Sequence, residues 1–288
     1  MPIGLHPHIS ERLPAYEIHI TEEYMAGKYV FFDIDGTLWD RNRQMPESTA
    51  RAIRQLRKNG HKAILNSGRS RANIHNRILD ELEFDGVVAA CGNHVEWEGK
   101  VLYERVFTDG EVDYLIDLLT NRSMPIVYEG PEYEWLNLED FPDDPFAATI
   151  WNELGEYARR TETLHRPYRI NKFTADYSPL QDPAREALHR QLEARYSYID
   201  HDGRFIEIIP RGSSKAKGIQ FLQEHLGIAD DDVYAFGDGA NDTEMLSYVT
   251  HSVAMGSGDP SLFSIAEYVT SGLTENGIEN ALRHYGLI

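Results

Sequence analysis

Two aspartates one residue apart, Asp33 and Asp35, close the short apolar run Val30-Phe31-Phe32 and are followed at once by Gly36 and Thr37. Carboxylates this close coexist only if a cation or a shared proton lies between them. An all-oxygen site favours a hard ion, and Mg²⁺ is the natural one. An Asp-x-Asp turn also reads, by itself, as a solvated loop.

Three further segments carry side chains of the same kind of chemistry. In HKAILNSGRS, an apolar run ends at Asn66-Ser67-Gly68. A hydroxyl and a free N–H ahead of a helix suit a phosphate oxygen, although a serine there is also an ordinary N-cap. In IIPRGSSKAKGIQFL, Lys215 opens an amphipathic segment whose apolar positions are Ile219, Phe221, Leu222 and Leu226. A lysine in a first helical turn opposes the helix dipole, so it answers an anion better than it stabilises the helix. Lys217 is its competitor for that role. In DVYAFGDGANDTEML, Asp238 is pinned between two glycines at a strand end, and Asn241-Asp242 begin the next helix.

The elements that must hold these groups follow from the pattern. Val30–Phe32, Ala63–Leu65, the run GVVAAC and Val233–Phe236 are short apolar runs that read as buried strands. Helical periodicity fills the gaps, as in TARAIRQLRKNG, where Gly60 reads as the C-cap. Strand–helix alternation implies a parallel sheet, and open parallel sheets bind ligands at their carboxyl ends. From Gly92 to Pro210 the texture changes. VLYERVF, MPIVYEG, EWLNL, RINKFTADYS and RFIEII read as strands; VDYLIDLL, Ala147 to Arg160 and PAREALHRQLEARY read as helices. LEDFPDDPF reads as an acidic surface loop. The expected organisation is an N-terminal extension over 1–27, a discontinuous Rossmann-like α/β core over 28–91 and 211–288, and an inserted α+β cap over 92–210 that can hinge as a lid.

Taken together, in order and spacing, FFDIDGTL, the Ser67 segment, Lys215 and GDGAND resemble the motifs of the haloacid dehalogenase superfamily of phosphotransferases. The long insert, the run into Lys215 and the tail AEYVTSGLTENGIENAL resemble its Cof-type branch with the large class IIB cap. The resemblance implies a Mg²⁺-dependent phosphatase for small phosphorylated metabolites, sugar phosphates foremost, with a phosphomutase or a catalytically silent phospholigand-binding regulator as the alternatives. It implies that Asp33 attacks phosphorus and that Asp35 serves as acid and base. Asp33 would stay ionised on the metal while Asp35 holds a proton. The metal would be bound by Asp33, the Asp35 carbonyl and Asp238, with Asp242 supporting it through water. Ser67, Gly68, Lys215 and Asn241 would hold the phosphoryl oxygens. In the cap segment, Asn93-His94-Val95 replaces the branch's usual Asn-Gly-Ala, so His94 either contacts substrate or fills space. Lys172 is a possible anion contact, with a surface lysine as the ordinary reading. Tyr128, Glu129, Tyr133 and Trp135 could meet hydroxyls and ring faces.

Composition bounds the partners. The 288 residues carry 28 Lys and Arg against 47 Asp and Glu, a formal charge of −19. That disfavours nucleic acid and leaves a small phosphate ester as the expected partner. No apolar run approaches a membrane span, and the first residues lack a signal-peptide core. Cys91 is the one cysteine, so no internal disulfide forms and a reducing cytoplasm is the expected compartment. Cys91 itself reads as a small buried residue. His6-Pro7-His8 has no neighbouring ligand to make it a metal site. Oligomeric state is not readable.

Overall fold

The computed structural model describes residues 27–74, 77–137 and 140–288. The segment before Gly27, with His6 and His8, lies outside them. In chain order the elements are β1 (Tyr29–Phe32), α1 (Glu47–Lys58), β2 (Lys62–Asn66), α2 (Arg77–Asp80), β3 (Gly86–Ala89), β4 (His94–Trp97) and β5 (Lys100–Glu104). Then come α3 (Asp109–Thr120), β6 (Ile126–Glu129), β7 (Glu134–Leu136), α4 (Pro145–Leu154), β8 (Ala158–Arg160), β9 (Lys172–Asp176), α5 (Asp182–Glu193), β10 (Tyr196–His201) and β11 (Phe205–Pro210). The chain closes with α6 (Lys215–Leu226), β12 (Val233–Gly237), α7 (Thr243–Tyr248), β13 (His251–Ala254), β14 (Tyr268–Val269) and α8 (Gly277–His284).

The first sheet has the order β14-β13-β12-β1-β2-β3-β4-β5. It is parallel from β14 to β3. The fold is α/β, as expected. β1 has β2 on one side and β12 on the other, so strand order reverses beside it, which is where such sheets open a crevice. All four β1 residues are buried, because helices cover both faces and a parallel strand then needs apolar side chains throughout. α1 and α8 supply Ile53, Leu56, Ile278 and Ala281 to one layer; α6 and α7 supply Ile219, Leu222, Met245 and Leu246 to the other.

The second sheet has the order β10-β11-β9-β6-β7-β8. It is antiparallel except for the parallel pair β7–β8. On one face Phe173, Tyr128, Ile206 and Ile208 pack with Leu115, Leu119, Leu188 and Leu192 of α3 and α5. The two-residue period of a strand sends Lys172, Thr174, Glu129, Glu134 and Glu207 to the other face.

The chain departs from expectation at four places. β4 and β5, assigned from sequence to the inserted segment, extend the first sheet: β4 pairs antiparallel with β3, and β5 with β4. The chain turns back at once after β3 because Ala90, Cys91 and Gly92 take φ values of 49°, 52° and 85°. The second sheet's segment therefore starts after Glu104, not at Gly92. The helix expected over Ala147 to Arg160 stops at Leu154, where Gly155 takes φ 52°, and Ala158–Arg160 forms β8. Pro145, read as loop, is instead the first residue of α4, a position that suits its fixed φ. β10 was not read from sequence; it pairs with β11 through a turn at Asp202 and Gly203.

Gly218 makes the seat of α6 tight: a Cβ there would lie 2.2 Å from Val88 Cγ1 of β3. Alanine is intrinsically the better helix former by about 1 kcal/mol, but overpacking costs about 1–3 kcal/mol. Gly218→Ala is therefore expected to lower the urea midpoint of unfolding. A raised midpoint would mean that α6 moves freely away from β3.

Candidate active site

β1 delivers Asp33 to its carboxyl end, where the Asp33 N–H donates to Phe236 O of β12 at 2.9 Å. Gly36 then turns the chain with φ +88°, and a Cβ on it would lie 2.0 Å from Asp238 Oδ2. No other residue fits there without displacing that carboxylate. Leu38 N–H donates back to Ile34 O at 2.9 Å, closing the turn. Because β12 is the neighbour of β1, the turn after it sets Asp238 beside Asp33. Thr37 Oγ1 donates to Asp238 Oδ1 at 3.0 Å.

Lys215 enters from the first turn of α6, whose N-cap is Ser214. It is 2% exposed, and its Nζ donates to Asp33 Oδ1 and Asp242 Oδ1, each at 2.6 Å. Lys217 lies on the outside and donates to Gln220 Oε1 at 2.8 Å. The structure thus chooses between the two lysines. Asp242 Oδ2 accepts the N–H groups of Asp238 and Gly239, both at 3.0 Å. Both oxygens of Asp242 are engaged within the protein, so it braces Lys215 and the Asp238 loop. Its carboxylate also stands within the acidic group that could hold a metal.

Carboxylate oxygens of Asp33, Asp238 and Asp242 lie within 4.8 Å of one another. Burial, then the neighbouring Asp242 and Asp238, pushes Asp33 well above the usual carboxylate range, against the pull of Lys215. Burial and Asp242 push Asp238 up to about 6. Two acids raised by crowding, with oxygens facing each other, fit a hard cation that would hold both ionised. Asp35 behaves in the opposite way. Burial works to raise it, but Arg69 donates through Nε at 2.6 Å and Nη2 at 2.8 Å, and Trp39 Nε1 donates at 2.9 Å. These hold Asp35 below its ordinary value. The expectation that Asp35 holds a proton meets Arg69, whose two hydrogen bonds favour the ionised carboxylate. Arg69 was not singled out in the sequence, although it stands two residues after Ser67.

The Ser67–Gly68 loop follows β2. Ser67 Oγ accepts Arg69 N–H at 3.1 Å. The left-handed turn after β3 supports the loop from below: Cys91 N–H donates to Ser67 O at 3.2 Å, and Ala90 N–H to Arg69 O at 2.7 Å. Cys91 is buried as expected, and burial pushes its thiol up to about 12. A Cβ at Gly68 would lie 3.8 Å from Asn241 Nδ2 and 3.6 Å from Glu207 Oε2. Ser67, Gly68 and Asn241 thus gather on one side of the crevice.

Lys172 is not a surface lysine. It is 4% exposed, and its Nζ crosses from the second sheet to donate to Gly68 O at 2.9 Å. His94 is held within the protein: Glu104 Oε1 at 3.2 Å and Glu96 Oε1 at 2.8 Å take both ring nitrogens. Asn93 is spent on Ala90 O and the Ser213 hydroxyl. Of the candidate cap side chains, Glu129 faces the crevice, while Tyr128 packs in the core under α3 and α5. Tyr133 and Trp135 pack edge to face on each other, and Arg159 covers Tyr133. The rings that line the crevice are Phe146 and Phe205. A cavity of about 270 Å³ runs from Asp35 and Arg69 to Glu129, Glu134, Lys172 and Glu207.

A family model described as haloacid dehalogenase-like hydrolase matches residues 30–282. A protein of Bacillus subtilis (strain 168) named "Putative phosphatase YkrA" is 30% identical over 92% of this chain and 100% of its own length. The 5-amino-6-(5-phospho-D-ribitylamino)uracil phosphatase YwtE of the same organism is 26% identical over 87% of this chain and 95% of its length. A solved structure of a protein from Geobacillus kaustophilus HTA426 superposes with TM-score 0.78 at 30% identity, covering 91% of this chain and 100% of that one. Among the described residues, no helix is long and apolar enough to cross a membrane.

Removing one member of a buried ion pair typically costs about 3–5 kcal/mol. Lys215→Ala should therefore unfold at distinctly lower urea than the parent, while the exposed Lys217→Ala should match it. Equal midpoints for the two variants would contradict the burial of Lys215. For His94, burial lowers its pKa, but the bonds to Glu104 and Glu96 outweigh it and raise it above the ordinary value. A raised folded pKa stabilises fully below the unfolded value of about 6.5 and ceases to as pH rises through the folded one. The stability lost in His94→Gln should be larger at about pH 6 than at about pH 9. A loss that grows with pH would refute the pairing.

Proposed function

The chain belongs to the haloacid dehalogenase-like hydrolases, and from that membership we propose that it is a Mg²⁺-dependent phosphatase of small phosphorylated metabolites, sugar phosphates foremost, working through an aspartyl-phosphate. Its family makes it a phosphoric monoester hydrolase. The observation that carries the finer reading is Asp33: a carboxylate at the switch-point strand end, held by Lys215 at 2.6 Å, with β2, the strand that leads into Ser67 and Gly68, beside it.

In this reading an Asp33 oxygen attacks phosphorus, and the bond from phosphorus to the leaving oxygen breaks. Asp35 gives that oxygen a proton, then takes one from the water that hydrolyses the acyl phosphate. Asp35 can do so only after Arg69 has let go of it, and the phosphoryl oxygens are a natural alternative partner for that guanidinium. The oxygens of Asp33 and Asp238 would hold Mg²⁺, which supplies positive charge against the phosphoryl group when bound. Ser67, the Gly68 N–H and Asn241 would orient the phosphoryl oxygens, and Lys215 would keep the nucleophile aimed. Catalysis then rests on positioning and fixed charge, as phosphoryl transfer demands. The small cavity supports a small ester, and the relative named for a phosphorylated ribitylamino compound supports a polyhydroxylated one.

The test is phosphate release from a panel of metabolite phosphates with and without Mg²⁺. EDTA should abolish release and Mg²⁺ restore it, with Ca²⁺ a poor substitute because of its looser coordination. Asp33→Asn, which keeps the shape and removes the attacking charge, should fall to background. Substantial turnover by Asp33→Asn, or full activity in excess chelator, would overturn the mechanism.

A further inference from the structure

The wall of the cavity opposite Asp35 has more carboxylates than it can neutralise. Strand register sets Glu134 directly across from Glu129, and Glu129 directly across from Lys172. Like charges opposite one another on a sheet destabilise it. Lys172 Nζ lies 3.3 Å from Glu129 Oε2 and 3.2 Å from Glu207 Oε1, so one ammonium serves two carboxylates. His201 Nε2, 3.4 Å from Glu207 Oε1, assists the second of these. Glu134 has no salt bridge of its own, and Lys172 attracts it only from a longer range. It is fully buried; the Ser70 hydroxyl donates to its Oε1, and its Oε2 receives no hydrogen bond. Glu207 Oε2 is likewise buried without a donor. Buried acceptors without partners are rare and costly.

Glu134 and Glu207, the residues that carry these buried oxygens, line the same cavity as Asp35. They are not spaced as a second metal site: among the described residues, the carboxylates close enough to share an ion are Asp33, Asp238 and Asp242. Nor does the wall suit a second anion, since Lys172 is already spent on two glutamates and Gly68 O, and Arg69 on Asp35. Val127, Phe146, Ile150 and Phe205 complete the wall and keep its dielectric low, which strengthens any charge pairing there.

We infer that this cavity selects phosphate esters whose leaving group carries a cationic amine, received by Glu134 and Glu207, in preference to neutral polyols, and that it rejects a second anionic group. The inference rests on the phosphatase reading above and names the substrate class of that same site. One further observation agrees with it. Burial and the neighbouring Glu129 push Glu134 up to about 8. This is the state of a carboxyl that lacks a salt bridge, and an ammonium would reverse it.

The experiment compares kcat/KM at pH 7 with Mg²⁺ for glucosamine 6-phosphate, glucose 6-phosphate and 6-phosphogluconate. p-Nitrophenyl phosphate serves as a reference that has neither amine nor hydroxyls. A charge-assisted bond predicts an amine-to-hydroxyl preference of about tenfold or more, with 6-phosphogluconate slowest. In Glu134→Gln that ratio should fall to within about threefold of unity, since the neutral amide no longer distinguishes the amine by charge. The ratio is taken within each protein, so a change in folded fraction cancels, and the wild-type ratio is a test that needs no variant. Equal rates on the amine and hydroxyl sugars, a ratio unchanged in Glu134→Gln, or a preference for 6-phosphogluconate would overturn the inference. Release from p-nitrophenyl phosphate without any amine preference defeats this inference alone. No release from any ester defeats the phosphatase reading and this inference with it.

Discussion

One buried ammonium sets the geometry on which the rest depends. The Lys215 side chain sits out of water between Asp33 and Asp242, at 2.6 Å from each. An ammonium there tolerates neither the loss of a partner nor a loose fit, because the desolvation cost of several kcal/mol is offset only at close range. The three residues come from separate stretches of chain: the end of β1, the start of α6 and the loop after β12. Holding them to one point fixes how α6 crosses the sheet. It also fixes Asp238, because Asp242 grips the Asp238 N–H with its other oxygen. The close approach of Gly36 to Asp238 and of Gly218 to Val88 are consequences of the same convergence. The arrangement is better understood as specifying a geometry than as a net source of stability.

A second buried lysine repeats the device in the inserted segment with a different outcome. Lys172 also lies between two carboxylates, yet it spends a further hydrogen bond on Gly68 O across the crevice. Ser70 to Glu134 and Arg43 to Glu153 cross the same gap. The two sheets are thus joined over the strand ends by polar contacts, which suits surfaces that must part and meet again. Charge that bridges the crevice also lines it, so the same contacts shape what fits inside.

The core of the site was legible because each piece couples an apolar strand to an abrupt break. Val30-Phe31-Phe32 ending in Asp33, and Val233 to Phe236 ending in Gly237-Asp238, leave little choice about where the carboxylates lie. Lys215 could be separated from Lys217 only by burial, which one helical turn of sequence does not reveal. The inserted segment was harder. Lys172, Glu129, Glu134 and Glu207 are single charges in strands, and such residues ordinarily point to solvent; their common face appears only once the strands are paired. The alternation around Lys172 and Thr174 was the available signal. The misplaced boundary at Gly92 has a similar origin. Three consecutive left-handed residues, two of them not glycine, make a tight turn that these residue types do not signal. The partner of Asp35 was not readable, because Arg69 lies 34 residues away.

The central claim is that Asp33 becomes covalently phosphorylated during turnover. Its most direct test is an acid quench during steady-state hydrolysis in Mg²⁺, followed by proteolysis and mass spectrometry of the peptide that carries Asp33 and Asp35. The account predicts a single added phosphoryl group on Asp33, lost on mild alkaline treatment as an acyl phosphate should be. Phosphate found on another residue would contradict it. So would inversion of configuration at the phosphorus of an isotopically chiral thiophosphate ester, since one in-line attack by water inverts that centre and two successive displacements restore it.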